Sequence, residues 1–487
     1  MAISDNEDMF ACDWGMPPQG RDSVPIPALS RSTTAAAVAS QFGGALYSDF
    51  FAQGLTHFFP AARLDENGRT ATARADFLCD CKTERSKSDQ VLLDWLGQRY
   101  ALRRAMRPFT DGERKLIYAM GRVLTARYQA LFNPDIAAKN FHLFRGLPED
   151  RYVSAFLDPA PYASLETLTG KQDRVADAIE ALRSSALTTS ENRRVSTGAL
   201  LLGRQARPPQ FVAEGRLRYS SALTSIRSFP HLCDGTHTVA LVDTQGRWID
   251  IVDVEQWSGP GGGVLPLPSP SAYRAHCRAT LGSDNLCLVL TPNGEIKVFA
   301  RGVQVFSLLN GRWRLTDLEW KYRRWADAVQ DVALANLVFQ VALDLADSRS
   351  GGLFVILDDA ASAKGLVSPG DLLTHPEPET LAVRAADPKR SVYYLLNGRR
   401  ATDLRPAVLR TLAALDGGTV VDREGRLLAF GAILSHHNEV QTTIKQLPQG
   451  GGRSVAALAA SRYGKSLKIS EDGIISFFES GSWVWDV

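Results

Sequence analysis

Two glycine-rich turns flanking a hydrophobic hairpin, all within residues 415–481, constrain the fold of this chain more than any other stretch. The first, Leu415-Asp416-Gly417-Gly418-Thr419-Val420-Val421, opens a hairpin whose turn reads Asp422-Arg423-Glu424-Gly425. Glycines at a strand mouth let another backbone or a ligand come close, so Asp416 is predicted to stand where a ligand can reach it. The second, Gly450-Gly451-Gly452-Arg453-Ser454, runs into the alanine-rich residues 455–462 and closes at Gly464, which predicts a short helix. Free N–H groups and the dipole at such a helix start attract anions, and Arg453 adds a forked cation. Residues 467–478 then read as strand, turn and strand, with Ser470-Glu471-Asp472-Gly473 as the turn.

An acidic residue able to hold a metal, a phosphate-cradling helix start and a second acidic turn together suggest a nucleotide site. Each alone reads equally well as an ordinary loop. In order and spacing the three resemble the diadenylate cyclase (DisA-like) nucleotide-binding domain, marked by an Asp-Gly-Ala turn, an Arg-His-Arg-Ala-Ala helix start and a Ser-Glu-Glu-x-Gly-x-Ile turn. Here those positions read Asp416-Gly417-Gly418, Arg453-Ser454-Val455-Ala456-Ala457 and Ser470-Glu471-Asp472-Gly473-Ile474. Upstream, Ser350-Gly351-Gly352-Leu353-Phe354-Val355-Ile356-Leu357 resembles the family's first strand after its leading helix, so the likeness runs from Leu318 to the C-terminus.

The resemblance implies that two ATP molecules are condensed into cyclic di-AMP or a related cyclic dinucleotide, with Mg2+ or Mn2+ as cofactor. Asp416 would orient the ribose 3′ hydroxyl or hold metal, and Glu471 would lie near metal or triphosphate. Arg453 and Ser454 would contact phosphate, with Gly417, Gly418, Gly451, Gly452 and Ser470 lining the nucleotide site. Because each site of this family holds one nucleotide, catalysis implies a homo-oligomer with facing domains. The chain departs from the family at Ser454 and Val455, where His and a second Arg are expected. A catalytically degenerate nucleotide-binding sensor is therefore the alternative reading, unless Lys465, Lys468 or Arg462 replaces the missing cation.

A chain of 487 residues, 45% hydrophobic and 22% charged, is long enough for several cores. Its formal net charge of +2 gives no general reason to coat nucleic acid. Of the six cysteines only Cys79 and Cys81 are close, and a single Cys-x-Cys reads as reduced thiols rather than a zinc site. His436-His437 lie in a polar loop and carry no ligand assignment. The N-terminus shows no basic-then-apolar leader, and the longest apolar run, 332–346, contains Asn336, Gln340 and Asp344. No membrane span is expected, and the protein reads as cytoplasmic.

In order along the chain, residues 1–32 read as a flexible lead-in and 33–187 as a mainly α-helical N-terminal region. The latter includes an aromatic stripe at helical spacing (Phe42, Tyr47, Phe50, Phe51, Phe58, Phe59), read as core. Residues 88–132 read as a helical hairpin broken at Pro108-Phe109, with Thr110 as N-cap, Glu113 three residues on, and a solvated basic stripe. Residues 188–317 form a β-rich region of two strand–turn–strand units, and residues 318–487 the cyclase-like domain. Within the latter, 318–347 is predicted as one long helix across the sheet and 407–415 as a short helix delivering Asp416. Asp234-Gly235-Thr236 echoes Asp416-Gly417-Gly418-Thr419; we read this as a shared demand of hairpins rather than as duplication. The fold class expected is an α/β C-terminal domain with a mixed sheet between helices, a β-rich middle region acting as a sensor, and a helical N-terminal region.

Overall fold

The structure, a computed structural model, describes residues 49–60, 62–69, 90–95, 98–104, 107–131, 141–162, 173–190, 193–204, 217–226, 228–259, 264–373, 395–435 and 451–487. All lie in one compact unit, Tyr47–Val487. The lead-in, Cys12, Cys79, Cys81, Phe42, Tyr47 and His436-His437 fall outside the described residues.

The described part of the N-terminal region is mainly helical, but it also carries a sheet. Strands β1 (Ala62–Arg69), β2 (Gln90–Trp95) and β3 (Gln98–Arg104) form an antiparallel sheet in the order β1-β3-β2. The expected first helix of the hairpin is thus a pair of strands. Val91 and Leu93 are buried while Leu92 between them is only half-buried, and this period of two decides the matter. Helix α1 (Asp111–Leu131) begins where the capping signal places it. The Glu113 N–H donates to Thr110 Oγ1 at 3.1 Å and the Thr110 N–H to Glu113 Oε2 at 3.0 Å, a reciprocal capping box. The basic stripe divides: Arg99, Arg103 and Lys115 are exposed, as a solvated face requires, whereas Arg104 and Arg107 both pair with buried Glu113. Helices α2 (Pro148–Leu157) and α3 (Arg174–Ala186) follow, then the two-stranded β4 (Thr189–Ser190) and β5 (Arg193–Arg194).

Two larger sheets come next. The first joins β6 (Thr197–Leu201), β7 (Thr238–Val242), β8 (Trp248–Asp253), β9 (Leu286–Leu290), β10 (Ile296–Ala300), β11 (Val303–Leu309) and β12 (Arg312–Leu315), with helix α4 (Arg274–Thr280) before β9. Its order is β12-β11-β10-β9-β6-β7-β8. After it come α5 (Leu318–Val329) and α6 (Val332–Asp347). The second sheet holds β13 (Gly352–Leu357), β14 (Gly418–Asp422), β15 (Leu427–Ala432), β16 (Gly464–Ile469), β17 (Ile475–Glu479) and β18 (Ser482–Asp486) in the order β15-β14-β13-β16-β17-β18. Helix α7 (Pro406–Ala413) precedes β14 and α8 (Gly452–Ala460) precedes β16.

The expected single helix over 318–347 is two. Gln330 takes a left-handed conformation (φ 67°) that closes α5, and the Asp331 side chain accepts from the Leu334 N–H to start α6. The chain can then fold back so that Trp325 Nε1 donates to the Ala335 carbonyl at 3.1 Å and its indole meets Phe477 edge-on.

The two sheets share one six-stranded topology, to which the first adds β12 at its edge. In each, the first and second strands are parallel and every other pairing is antiparallel. The register agrees over most of the pairs, with an extra irregularity between Gly418 and Val420 in the second repeat. Leu201 pairs with Val242 as Ile356 does with Val421, and Ala199 with Leu288 as Phe354 does with Leu467. Asp243 Oδ1 accepts from the amides of Gln245 and Arg247, and Asp422 Oδ1 from those of Glu424 and Arg426. Gly246 and Gly425 complete these turns at φ 78° and 79°. Leu290 pairs with Ile296 around one turn, and Ile469 with Ile475 around its twin. Even the irregularities recur, between Val298 and Phe299 and between Phe477 and Phe478. Thr280 and Ser461, each at the end of the helix before the central antiparallel strand, accept at 3.1 Å from the amides of Gly302 and Gly481. The middle region is therefore a repeat of the C-terminal fold, although the Asp234-Gly235-Thr236 echo is itself out of register with it: Ala240, not Thr236, matches Thr419.

Each sheet is covered on both faces, as alternation along a strand requires. Ala199 and Leu201 face the core shared with α1 to α3; Leu200, Cys287 and Val289 face Cys277 of α4. In the second repeat Phe354, Ile356 and Phe477 pack against α5, α6 and α7, while Leu353, Val355 and Val420 pack under Ala457 and Leu458 of α8. Burying each such side chain stabilises the fold by about 1.5–3 kcal/mol. Cys233, Cys277 and Cys287 are buried free thiols, all in the first repeat. Burial pushes Cys233 and Cys277 up to about 12 and Cys287 higher still. Among the described residues no helix is long and apolar enough to cross a membrane.

Candidate functional site

The start of α8 and the mouth of β14 meet at one end of the second sheet. Arg453, the second residue of α8, lies between two carboxylates: its Nη2 is 3.3 Å from Asp416 Oδ1 and its Nη1 3.2 Å from Glu471 Oε1. Helix α7 delivers Asp416 to the sheet edge, and the turn between β16 and β17 delivers Glu471. The Asp416 side chain is 98% exposed, that of Glu471 74% and that of Arg453 30%. Ion pairs this open contribute little net stability, because water solvates both partners nearly as well. A phosphate offering Arg453 a bidentate contact would therefore displace them readily.

The surrounding glycines divide by role. Gly451 and Gly452, the N-cap and first residue of α8, face open space and leave the helix start accessible. Gly417 has φ 108°, and a Cβ there would lie 2.5 Å from the Gly431 carbonyl carbon, so its absence permits strand packing. Gly418 is buried as the first residue of β14. Ser454, 2% exposed, donates its N–H to the Gly451 carbonyl, and Val455 packs against the core under α8. Ser470 donates its N–H to the Ile474 carbonyl and accepts from the Ile474 N–H at Oγ, 3.2 Å away; its hydroxyl serves the turn.

Of the three cations considered as replacements, Lys465 and Arg462 lie at the far end of the sheet. Lys465 pairs with Asp358 and Arg462 packs beside Gly481. Lys468 is near the site, and burial lowers its ammonium against the raising pull of Asp486 and Asp472. Sequence reasoning missed Gly351, whose Cβ would collide with Arg453 Nη1; the Gly351-Gly352 doublet ahead of a strand was the available signal. Asp416 and Glu471 can offer two oxygens to a cation, and among the described residues no group of three or more His, Cys, Asp or Glu gathers to hold a metal. Two carboxylates suit Mg2+, which is commonly held by one or two carboxylates with phosphate oxygens and water completing its shell.

The same place in the first repeat is closed. Asp234, at the mouth of β7, spends its carboxylate on its own loop, accepting from the amides of Thr236, His237 and Thr238 and meeting His237 Nδ1 at 2.8 Å. Against the upward push of partial burial, these bonds hold its carboxyl well below the usual range. His276 of α4 donates from Nε2 to the Gly235 carbonyl at 2.9 Å, stitching helix to strand mouth. Its Nδ1 is buried without a partner, and burial pushes the imidazole down to about 4 against the raising effect of that bond. Ser271, the first residue of the helical turn leading into α4, donates its N–H to Asp344 Oδ1 at 2.6 Å and its hydroxyl to Asp344 Oδ2 at 2.9 Å. A carboxylate from α6 thus sits where the second repeat leaves Gly452 open.

No protein-family model matches the chain, and no curated protein matches it. Several solved chains match, among them one described as the hypothetical membrane spanning protein from Bacillus cereus, with 18% identity and a TM-score of 0.19. The match covers 30% of this chain and 60% of that one, and at this level carries no argument about fold or activity.

Proposed function

We propose that residues 318–487 form a diadenylate-cyclase-like nucleotide-binding unit that takes ATP or a related nucleoside triphosphate at Asp416, Arg453 and Glu471. The observation that carries this reading is the placement of Arg453 between two exposed carboxylates at an open helix start, where the first repeat is closed. Arg453 and the free amides of α8 receive phosphate, and Asp416 orients the ribose 3′ oxygen toward the α-phosphorus of a second nucleotide, with pyrophosphate as leaving group. Mg2+ or Mn2+, when bound by Asp416 and Glu471, neutralises charge on the triphosphate. Cyclisation needs two such sites face to face, so the active form is a homo-oligomer.

One observation favours a second reading, a binding unit without turnover. Ser454 is buried and Val455 packs into the core, so neither presents a polar group beside Arg453. Incubation with ATP, alone and with GTP, plus Mg2+ or Mn2+, separates the two when products are read by mass spectrometry and binding by calorimetry. A cyclic dinucleotide that disappears in Asp416→Asn supports the enzyme; binding without product supports the sensor. Unaltered product from Asp416→Asn would sink the site assignment.

A further inference from the structure

Each repeat carries an arginine three residues ahead of its first strand that reaches its own β-turn. Arg194 Nη1 donates to the Asn293 carbonyl at 2.9 Å, and Arg349 Nη1 donates to the Asp472 carbonyl. The turn glycines make room: a Cβ on Gly294 would stand 3.0 Å from Arg194 Nη1, and one on Gly473 2.7 Å from Arg349 Nη1. Among the described residues, only Arg349 of the two has a second partner across the repeat boundary. Its Nη2 lies 3.1 Å from Glu295 Oε2 in the first repeat, and Glu295 is 3.8 Å from Lys297 Nζ, which is in turn 2.7 Å from Asp347. Arg349 holds a left-handed backbone (φ 55°), a conformation a non-glycine residue keeps where its surroundings determine it. Both arginines line one cleft of about 530 Å3, whose other walls are the first-repeat turns at 292–295 and 309–311.

Asp472 follows Glu471, so the turn that presents Glu471 to Arg453 on one side is tied on the other to Arg349, and through it to Glu295. We propose that Arg349 is the positioning residue of the candidate site and the link through which the first repeat controls it. The ligand's identity rests on the nucleotide reading above; the positioning role does not. When Glu295 holds Nη2, the guanidinium is fixed and the Glu471 turn keeps its place beside Arg453. When that grip is lost, the turn and the carboxylate it carries drift from the helix start.

Amide hydrogen exchange on the full chain decides this, with Arg194→Ala as an internal control for loss of the equivalent bond. Arg349→Ala should raise exchange over residues 470–475 by about tenfold, and more than over 291–296, where it loses only the Glu295 ion pair; Arg194→Ala should raise it over 291–296 and leave 470–475 unchanged. Unchanged exchange at 470–475 in Arg349→Ala, or an equal response to Arg194→Ala, overturns the positioning role. Glu295→Gln keeps the Asp472 bond and removes the ionic partner. A two- to threefold rise at 470–475, roughly the loss of a part-buried ion pair, supports the link even should Arg349→Ala not fold, and no change overturns control by the first repeat. Mn2+·ATP affinity should weaken about tenfold in Arg349→Ala, recover in Arg349→Lys and stay unchanged in Arg194→Ala. Failure of the wild type to bind Mn2+·ATP would remove the nucleotide reading, and the exchange data would still decide the role of Arg349.

Discussion

The two repeats share strand order, most of their register, turn chemistry and bulges, yet at one end of the sheet the polar groups are tied to their own loop and to Asp344 in the first and stand around an open helix start in the second. In the first, His276 ties helix to strand mouth, Asp234 is saturated by its own loop, and Asp344 occupies the helix start. In the second, Ala457 has no such stitch to make, Gly452 faces open space, and Arg453 holds two solvent-exposed carboxylates. What recurs in both copies is what the fold requires: Asp243 and Asp422, Gly246 and Gly425, Gly302 and Gly481. What differs in the second is the candidate site: Arg453 between the exposed carboxylates of Asp416 and Glu471, where the first has Asp234 bonded to its own loop. A single chain thus supplies the contrast between scaffold and site that otherwise needs a set of relatives.

Reversing the central charge breaks the contrast most severely. Arg453→Glu places a third carboxylate between Asp416 and Glu471 and should weaken ATP binding by more than about 100-fold, with Ala272→Glu at the matching position of the first repeat leaving it unchanged; titration calorimetry reads both. Wild-type chains should take up one nucleotide each, and a stoichiometry of two would show that the first repeat is not sealed. Acid should act on the first repeat next. The folded His276 imidazole titrates near 4 and the unfolded one near 6.5, so the unfolded chain takes the proton first as pH falls. Its contribution is intact above about pH 6.5 and is lost progressively toward pH 4, about 3 kcal/mol in all. Urea unfolding at pH 7.5 and 4.5 measures this, and His276→Gln, which keeps a donor for Gly235, should flatten the difference. Asp344→Ala leaves the Ser271 amide and hydroxyl without their acceptor and should cost about 1–3 kcal/mol at neutral pH by the same assay. Smallest, and equal in the two copies, Gly246→Ala and Gly425→Ala at φ 78° and 79° should each cost about 1 kcal/mol. Unequal losses would show that the twin turns are not energetically alike.

Much of the scaffold was legible because turns announce themselves locally. Asp243-Thr244-Gln245-Gly246 and Asp422-Arg423-Glu424-Gly425 were readable as hairpin turns, and Thr110 with Glu113 as a capping box. Strands β2 and β3 were misread because Val91-Leu92-Leu93 satisfies a helical face as well as a strand, and the cross-strand partner that settles it lies outside the window. The duplication was hidden since the repeats exchange one apolar residue for another, Ala199 for Phe354 or Val298 for Phe477, which preserves burial and erases likeness. Asp416, Arg453 and Glu471 were found as motif positions, and they meet in space. Asp344 on Ser271 was invisible, because a contact across 73 residues leaves no mark in local spacing.

The buried thiols of the first repeat have a practical consequence. Residues 318–487 contain no cysteine, whereas Cys233, Cys277 and Cys287 sit in the first repeat with burial keeping them protonated and out of reach. Alkylation of these three, resolved by peptide, therefore clocks the opening of one repeat with no signal from the other. Set beside a signal from the whole chain, such as circular dichroism, this reporter tells whether the two halves come apart together or in turn.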